Sequence, residues 1–150
     1  MGMHRRTILA IAALVVLAGA PQWGAPPFAQ QQPRYPVDPH TKRAIGAKQL
    51  PADELKKQLE AGTKVMIIEV RQPGKFEETL PGAINIPFEE LEGHLRTIPK
   101  DTLLVFSCGT GRASSQAARL AEEHGFKSAT FCPVNTWKDH GYPAEPKKKE

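Results

Sequence analysis

The sequence predicts an α/β domain with a mainly parallel central sheet and helices on both faces. Two observations carry that prediction. First, KVMIIEV at 64–70 and TLLVFS at 102–107 are apolar runs of strand length with little polar alternation. That is the pattern of strands buried on both faces. Second, stretches with helical spacing stand between the strand candidates, as in ASSQAARLAEEHG at 113–125. Strands alternating with helices imply parallel pairing, because a parallel connection must cross back over the sheet.

Each element has its own local reason. LPADELKKQLEAG at 50–62 reads as a helix: Pro51 suits the first turn, Asp53 and Glu54 favour its positive end, and Gly62 stops it. Leu55 and Leu59 are four apart and share one face. RQPGKFEETLPG at 71–82 is a loop, and AINIP at 83–87 a short strand closed by Pro87. FEELEGHLRTI at 88–98 is a weaker helix, since Gly93 costs helical stability. In 113–125, Ala113, Ala117, Leu120 and Ala121 form one apolar face and Gly125 caps the end. KSATFC at 127–132 is the last strand and VNTWKDHG at 134–141 the last short helix.

The ends of the chain read differently. Residues 1–29 hold Arg5, Arg6 and no acid, and an apolar run from Ile8 to Ala18 follows the arginines. This is the pattern of a secretory signal peptide, with cleavage expected after Ala29. The expected location is therefore exported, periplasmic or secreted, and membrane contact is expected only if the segment stays uncleaved. Residues 30–43 are rich in Pro and Gln and read as an extended linker. The domain spans 44–143, and 144–150 is a basic tail. The 150-residue chain has a formal charge of +4; without Arg5 and Arg6 it is +2. Such a near-neutral body, with no basic stripe interleaved with aromatics, argues against nucleic-acid binding.

The chemistry lies in VFSCGTGRAS at 105–114. Cys108 ends a buried strand just before a helix begins, at the carboxyl edge where open α/β sheets bind ligands. Gly109 and Gly111 permit a tight bend. The N–H groups of Gly109, Thr110, Gly111 and Arg112 can then converge on one point, a nest that attracts an anion. That anion can be the Cys108 thiolate or a second atom attached to its sulfur. A small buried hydrophobe is the bland reading of a strand-end cysteine, and the glycines, arginine and helix start tell against it.

These residues resemble the rhodanese family. EVRQPGKFEETLPGAINIP at 69–87 is similar to its first signature, VFSCGTGRAS to its active-site loop, and WKDHGYP at 137–143 to its closing motif. The resemblance implies a rhodanese-like three-layer sandwich. It also implies a sulfurtransferase that moves a sulfane sulfur from thiosulfate, polysulfide or persulfide to a thiol or cyanide-like acceptor through a Cys108 persulfide. Gly109, Thr110, Gly111, Arg112 and Ala113 would bind substrate and persulfide. No metal or organic cofactor is implied, and His94, His124 and His140 show no ligand spacing. Arg71 reads as a structural ion-pair partner.

Four positions depart from the family pattern. Glu69 stands for the usual Asp, and Thr79-Leu80 for Gly-His. Ala113 occupies the usual arginine position and Arg112 precedes it, which implies a poorer thiosulfate site. Cys132-Pro133 replaces Gly-Gly. Cys132 is thus a candidate resolving thiol or disulfide partner for Cys108, or else a buried inert thiol. Phosphatases and arsenate reductases of related architecture need an arginine six residues after the cysteine, where this chain has Ser114. The alternative function is a non-catalytic sulfur-carrying, binding or redox module using Cys108 and Cys132.

Overall fold

The computed structural model describes residues 33–149; the expected signal segment lies outside the described residues. The elements are α1 (Ala52–Glu60), β1 (Val65–Glu69), β2 (Glu78–Thr79), β3 (Ile84–Asn85), α2 (Phe88–Leu95), β4 (Leu103–Ser107), α3 (Arg112–Glu123), β5 (Ala129–Phe131), α4 (Val134–Asp139) and β6 (Glu145–Pro146). The main sheet has the order β3-β1-β4-β5, and every pair in it is parallel. Beyond β5, Leu50 N–H donates to the Phe131 carbonyl and Phe131 N–H to the Lys48 carbonyl, which covers that edge.

Alternating side chains divide the core into two layers. Ile68, Leu104, Phe106 and Phe131 pack with Leu91 and Leu95 of α2 and with Ala117, Leu120 and Ala121 of α3. Ile67 and Val105 face the other way, onto Leu55 of α1 and Val134 and Trp137 of α4. Helices therefore cover both faces, as the unalternating strands predict. Gly93 does not interrupt α2, because Leu91 and Leu95 on either side are fully buried. Burial of those two side chains is worth about 1.5–3 kcal/mol each, more than the roughly 1 kcal/mol penalty of a helical glycine.

Both flanks of the domain are more tightly bound than their composition predicts. Residues 34–44 are not a free extended linker: Val37 and Ala44 form an antiparallel bridge closed by a turn at 39–41, Asp38 N–H donates to the Arg43 carbonyl at 2.9 Å, and Tyr35 is buried against α3. Its N–H donates to Gln116 Oε1 at 2.8 Å, and Gln116 Nε2 donates to its carbonyl at 3.0 Å. Ala44 N–H donates to Ser115 Oγ at 2.8 Å. At the other end, β6 pairs antiparallel with β2, joining Glu145 and Pro146 to Thr79 and Glu78. These pairings depend on contacts of long sequence separation, to which local composition is blind.

Glu69 is the buried charge in β1. Its Oε1 accepts from the Arg71 N–H at 3.0 Å and from Arg71 Nε at 2.8 Å, and its Oε2 from Arg71 Nη2 at 3.0 Å. Nη2 also donates to the Glu78 carbonyl at 3.0 Å. The pair thus fixes the turn after β1 and ties it to β2. Glu69→Gln is expected to lower the unfolding free energy by roughly 2–3 kcal/mol, because it leaves Arg71 without its counter-charge. Urea denaturation of the two proteins checks this, and an unchanged midpoint contradicts it.

Candidate functional site

Cys108 directly follows β4 and is buried, at 4 % exposure. Its Sγ accepts the Gly111 N–H at 3.2 Å and the Ser114 N–H at 3.4 Å, and lies 3.2 Å from Ser114 Oγ. Ser114 enters the site from the first turn of α3. Its position six residues after the cysteine is plain in the sequence, whereas its hydroxyl contact with the sulfur depends on how α3 packs against the loop.

The loop carbonyls all have donors, which constrains where the loop N–H groups point. The Cys108 carbonyl accepts from Val134 N–H at 2.9 Å and the Gly109 carbonyl from Asn135 N–H at 3.1 Å, both from the first turn of α4. The Thr110 carbonyl accepts from Arg43 Nε at 3.1 Å and Nη2 at 2.8 Å. The Gly111 carbonyl accepts from Ser115 N–H at 3.0 Å. In a trans peptide the carbonyl and the following N–H point in opposite directions. Each occupied carbonyl therefore turns the next N–H, those of Gly109, Thr110, Gly111 and Arg112, away from its partner. The N–H groups of Gly109, Thr110, Arg112 and Ala113 find no acceptor among the described residues.

Gly111 makes the bend possible. Its φ is +96°, the left-handed region that favours glycine. A Cβ built there would come within 2.7 Å of Arg43 Nε and 3.0 Å of Phe131 and Pro133. Arg43 also donates from Nη1 to Gln49 Oε1 at 2.8 Å and lies over the Phe131 ring at 5.6 Å. Nothing in its sequence neighbourhood marks Arg43 as a site residue, because its partner is 67 positions away.

Two arginines stand at the loop in different settings. Arg112, expected in the binding loop, is exposed and donates no side-chain hydrogen bond to another described residue. Arg71 has the expected ion pair and also approaches the loop: its Nη1 lies 3.6 Å from where a Gly109 Cβ would stand. The histidines are not gathered, and the described residues contain no group of three metal-ligating side chains.

Cys132 lies in a different environment. Both cysteines are free. Continuing the pairing of Phe106 with Phe131 sets Cys132 opposite Ser107, one residue before Cys108. Neighbouring residues of a strand face opposite ways, and Cys108 packs with the α3 layer while Cys132 packs with the α1 and α4 layer. The two thiols stand in different layers of the core, and neither forms a disulfide. Burial pushes the Cys132 thiol up to about 11, so it stays protonated at neutral pH. No hydrogen bond or disulfide joins it to the Cys108 sulfur.

Known proteins are similar to this chain across the same region. The family model for the rhodanese-like domain matches residues 51–132. The human thiosulfate:glutathione sulfurtransferase is 32% identical over 99 residues, which is 56% of this chain and 85% of that protein. The Saccharomyces cerevisiae protein of the same name is 26% identical over 93 residues, 51% of this chain and 67% of that one. Among solved structures, a human single-domain sulfurtransferase superposes with a TM-score of 0.51 at 28% identity, covering 63% of this chain and 96% of that one. A rhodanese-like domain from Anabaena gives 0.56 at 27% identity, covering 65% and 77%.

The two thiols are expected to react differently. Iodoacetamide at pH 8 should alkylate Cys108 well before Cys132, as read by peptide mass mapping. Arg43→Gln should slow the Cys108 reaction about tenfold, the value of one charge-assisted hydrogen bond, and Arg43→Lys should restore part of it. Equal rates in the wild type and Arg43→Gln would contradict the role given to Arg43.

Proposed function

The chain belongs to the rhodanese-like family, and on that premise we propose that it is a sulfurtransferase working through a persulfide on Cys108. The observation that carries this reading is the loop around Sγ, which offers two N–H groups and a hydroxyl to the sulfur itself and leaves further N–H groups for a second atom. Its named relatives support sulfur transfer as the reaction class.

The reaction divides into two displacements. The Cys108 thiolate attacks the outer sulfur of thiosulfate; the new S–S bond forms as the old one breaks, and sulfite leaves with the electron pair. A polysulfide reacts in the same way and releases a polysulfide one sulfur shorter. The persulfide anion is then held by the inward N–H groups, which stabilise negative charge without reorganising. An acceptor thiolate attacks the outer sulfur next. It leaves as the acceptor's persulfide, and Cys108 returns as thiolate. No step oxidises or reduces the protein overall.

The donor preference follows from the arginines. Arg112 is exposed and stands one position before the family's usual loop arginine, which weakens the grip on the sulfonate end of thiosulfate. Arg71, with Nε and Nη2 held by Glu69, keeps Nη1 toward Gly109 as the cation beside the loop. Polysulfide carries no sulfonate and has no need of such a partner. On the N-terminal pattern, the reading also includes export from the cytoplasm, which fractionation of the producing cell tests.

Reduced protein is to be incubated with thiosulfate and, separately, with polysulfide, and its intact mass and peptide map recorded. The expected result is one added sulfur on Cys108, absent in Cys108→Ser and removed by cyanide, with polysulfide loading faster than thiosulfate. A folded protein with a free Cys108 thiol that gains no sulfur from either donor contradicts the reading.

A further inference from the structure

The donors around Cys108 fall into two sets. Sγ itself takes the Gly111 N–H at 3.2 Å, the Ser114 N–H at 3.4 Å and the Ser114 hydroxyl at 3.2 Å. The N–H groups of Gly109, Thr110, Arg112 and Ala113 have no acceptor among the described residues. The first set is already engaged with the inner sulfur. The second is what remains for an outer one.

Ser114 supplies the one side chain in the inner set. It is fully buried, and its hydroxyl has no other partner among the described residues. The next two residues are polar as well but are engaged elsewhere. Ser115 Oγ donates to the Arg112 carbonyl at 2.9 Å and accepts the Ala44 N–H at 2.8 Å, while Gln116 holds the backbone of Tyr35. A thiolate has no proton to give, so against it the Ser114 hydroxyl is the donor.

Sulfur transfer moves charge between the inner and the outer sulfur. In the free thiolate the full negative charge is on Sγ. In the persulfide Sγ is a bridging atom, bonded to carbon and to sulfur, and the charge sits on the outer atom. A hydrogen bond to an ionised acceptor is roughly twice as strong as one to a neutral acceptor. The Ser114 hydroxyl therefore favours the thiolate over the persulfide. It opposes loading, in which Sγ gives up its charge. It assists discharge, in which the acceptor attacks the outer sulfur, the S–S bond breaks and the electron pair returns to Sγ. Cys108 is only 4 % exposed, so water is a poor substitute for this donor.

We propose that Ser114 is a catalytic residue for the discharge step, its hydroxyl stabilising the charge that returns to Cys108 Sγ as the acceptor removes the outer sulfur. This rests on the sulfurtransferase reading of Cys108. The free loop N–H groups favour the loaded state and the Ser114 hydroxyl favours the empty one. The two sets thereby oppose each other, which suits a site that must both take up and release the same atom.

The test uses the full chain and Ser114→Ala, which removes one buried oxygen and introduces no clash. Ser114→Gly removes the same hydroxyl and repeats the measurement. Loading from polysulfide is compared at a pH where alkylation of Cys108 by iodoacetamide no longer rises, so that each protein is fully thiolate. Discharge of the loaded protein to cyanide, which leaves as thiocyanate, is followed in a single turnover by intact mass. One hydrogen bond to a charged atom is worth about tenfold in the balance between thiolate and persulfide. Thiol exchange expresses a little under half of such a change, on a logarithmic scale, through the attacking sulfur. Both variants are therefore expected to discharge about threefold more slowly and to load about threefold faster. General damage to the site slows both steps. Unchanged rates, or any pair of rates that does not move in opposite directions, overturns the role given to Ser114 and leaves the sulfurtransferase reading intact. Failure of the wild-type Cys108 to load at all, read beforehand by mass, overturns both.

Discussion

The peptide group between Thr110 and Gly111 has to serve two partners at once. Its carbonyl takes both Arg43 Nε and Nη2, and its N–H points the other way, onto Cys108 Sγ. The plane of the peptide fixes one direction when the other is set. A buried sulfur that is to carry negative charge needs such donors already in place, since water is excluded there and an unpaired charge is costly. Arg43 lies on the far side of this peptide and adds positive charge to its carbonyl end. Gly111 supplies the left-handed turn that makes this orientation reachable.

The rest of the domain holds that peptide in position. β4 brings Cys108 to the carboxyl edge of the sheet, and α3 begins four residues later with Ser114 in its first turn. α4 starts just after β5 and uses its first N–H groups on the Cys108 and Gly109 carbonyls. The N-terminal strap, anchored by Tyr35 on Gln116, carries Arg43 to the loop. The loop is thereby held from three separate parts of the chain, which explains how so short a stretch keeps several donors aimed inward. The sheet supplies the edge, and the loop's chemistry depends on contacts that arrive from outside it.

The layout of strands and helices was legible because it is local. The apolar runs at 64–70 and 102–107, the caps of α1 and the apolar face of α3 each state their own structure. Cys108 and the two glycines were legible for the same reason, as a bend between a buried strand and a helix. Arg43 and the β2–β6 pair were not, since their partners lie 67 residues away in the first case and pair across a long connection in the second. Cys132 shows a third kind of difficulty. Its distance from Cys108 along the sheet is readable from register, but the face it occupies is decided by one residue of alternation.

The account's central claim is that inward N–H groups of the 109–113 loop hold the sulfur carried by Cys108. A high-resolution crystal structure of polysulfide-treated protein tests it most directly. The account predicts an outer sulfur on Cys108 within hydrogen-bonding distance of loop N–H groups, with Arg43 still on the Thr110 carbonyl and Cys132 unmodified. An outer sulfur directed away from the loop, or a bond between Cys108 and Cys132, would contradict it.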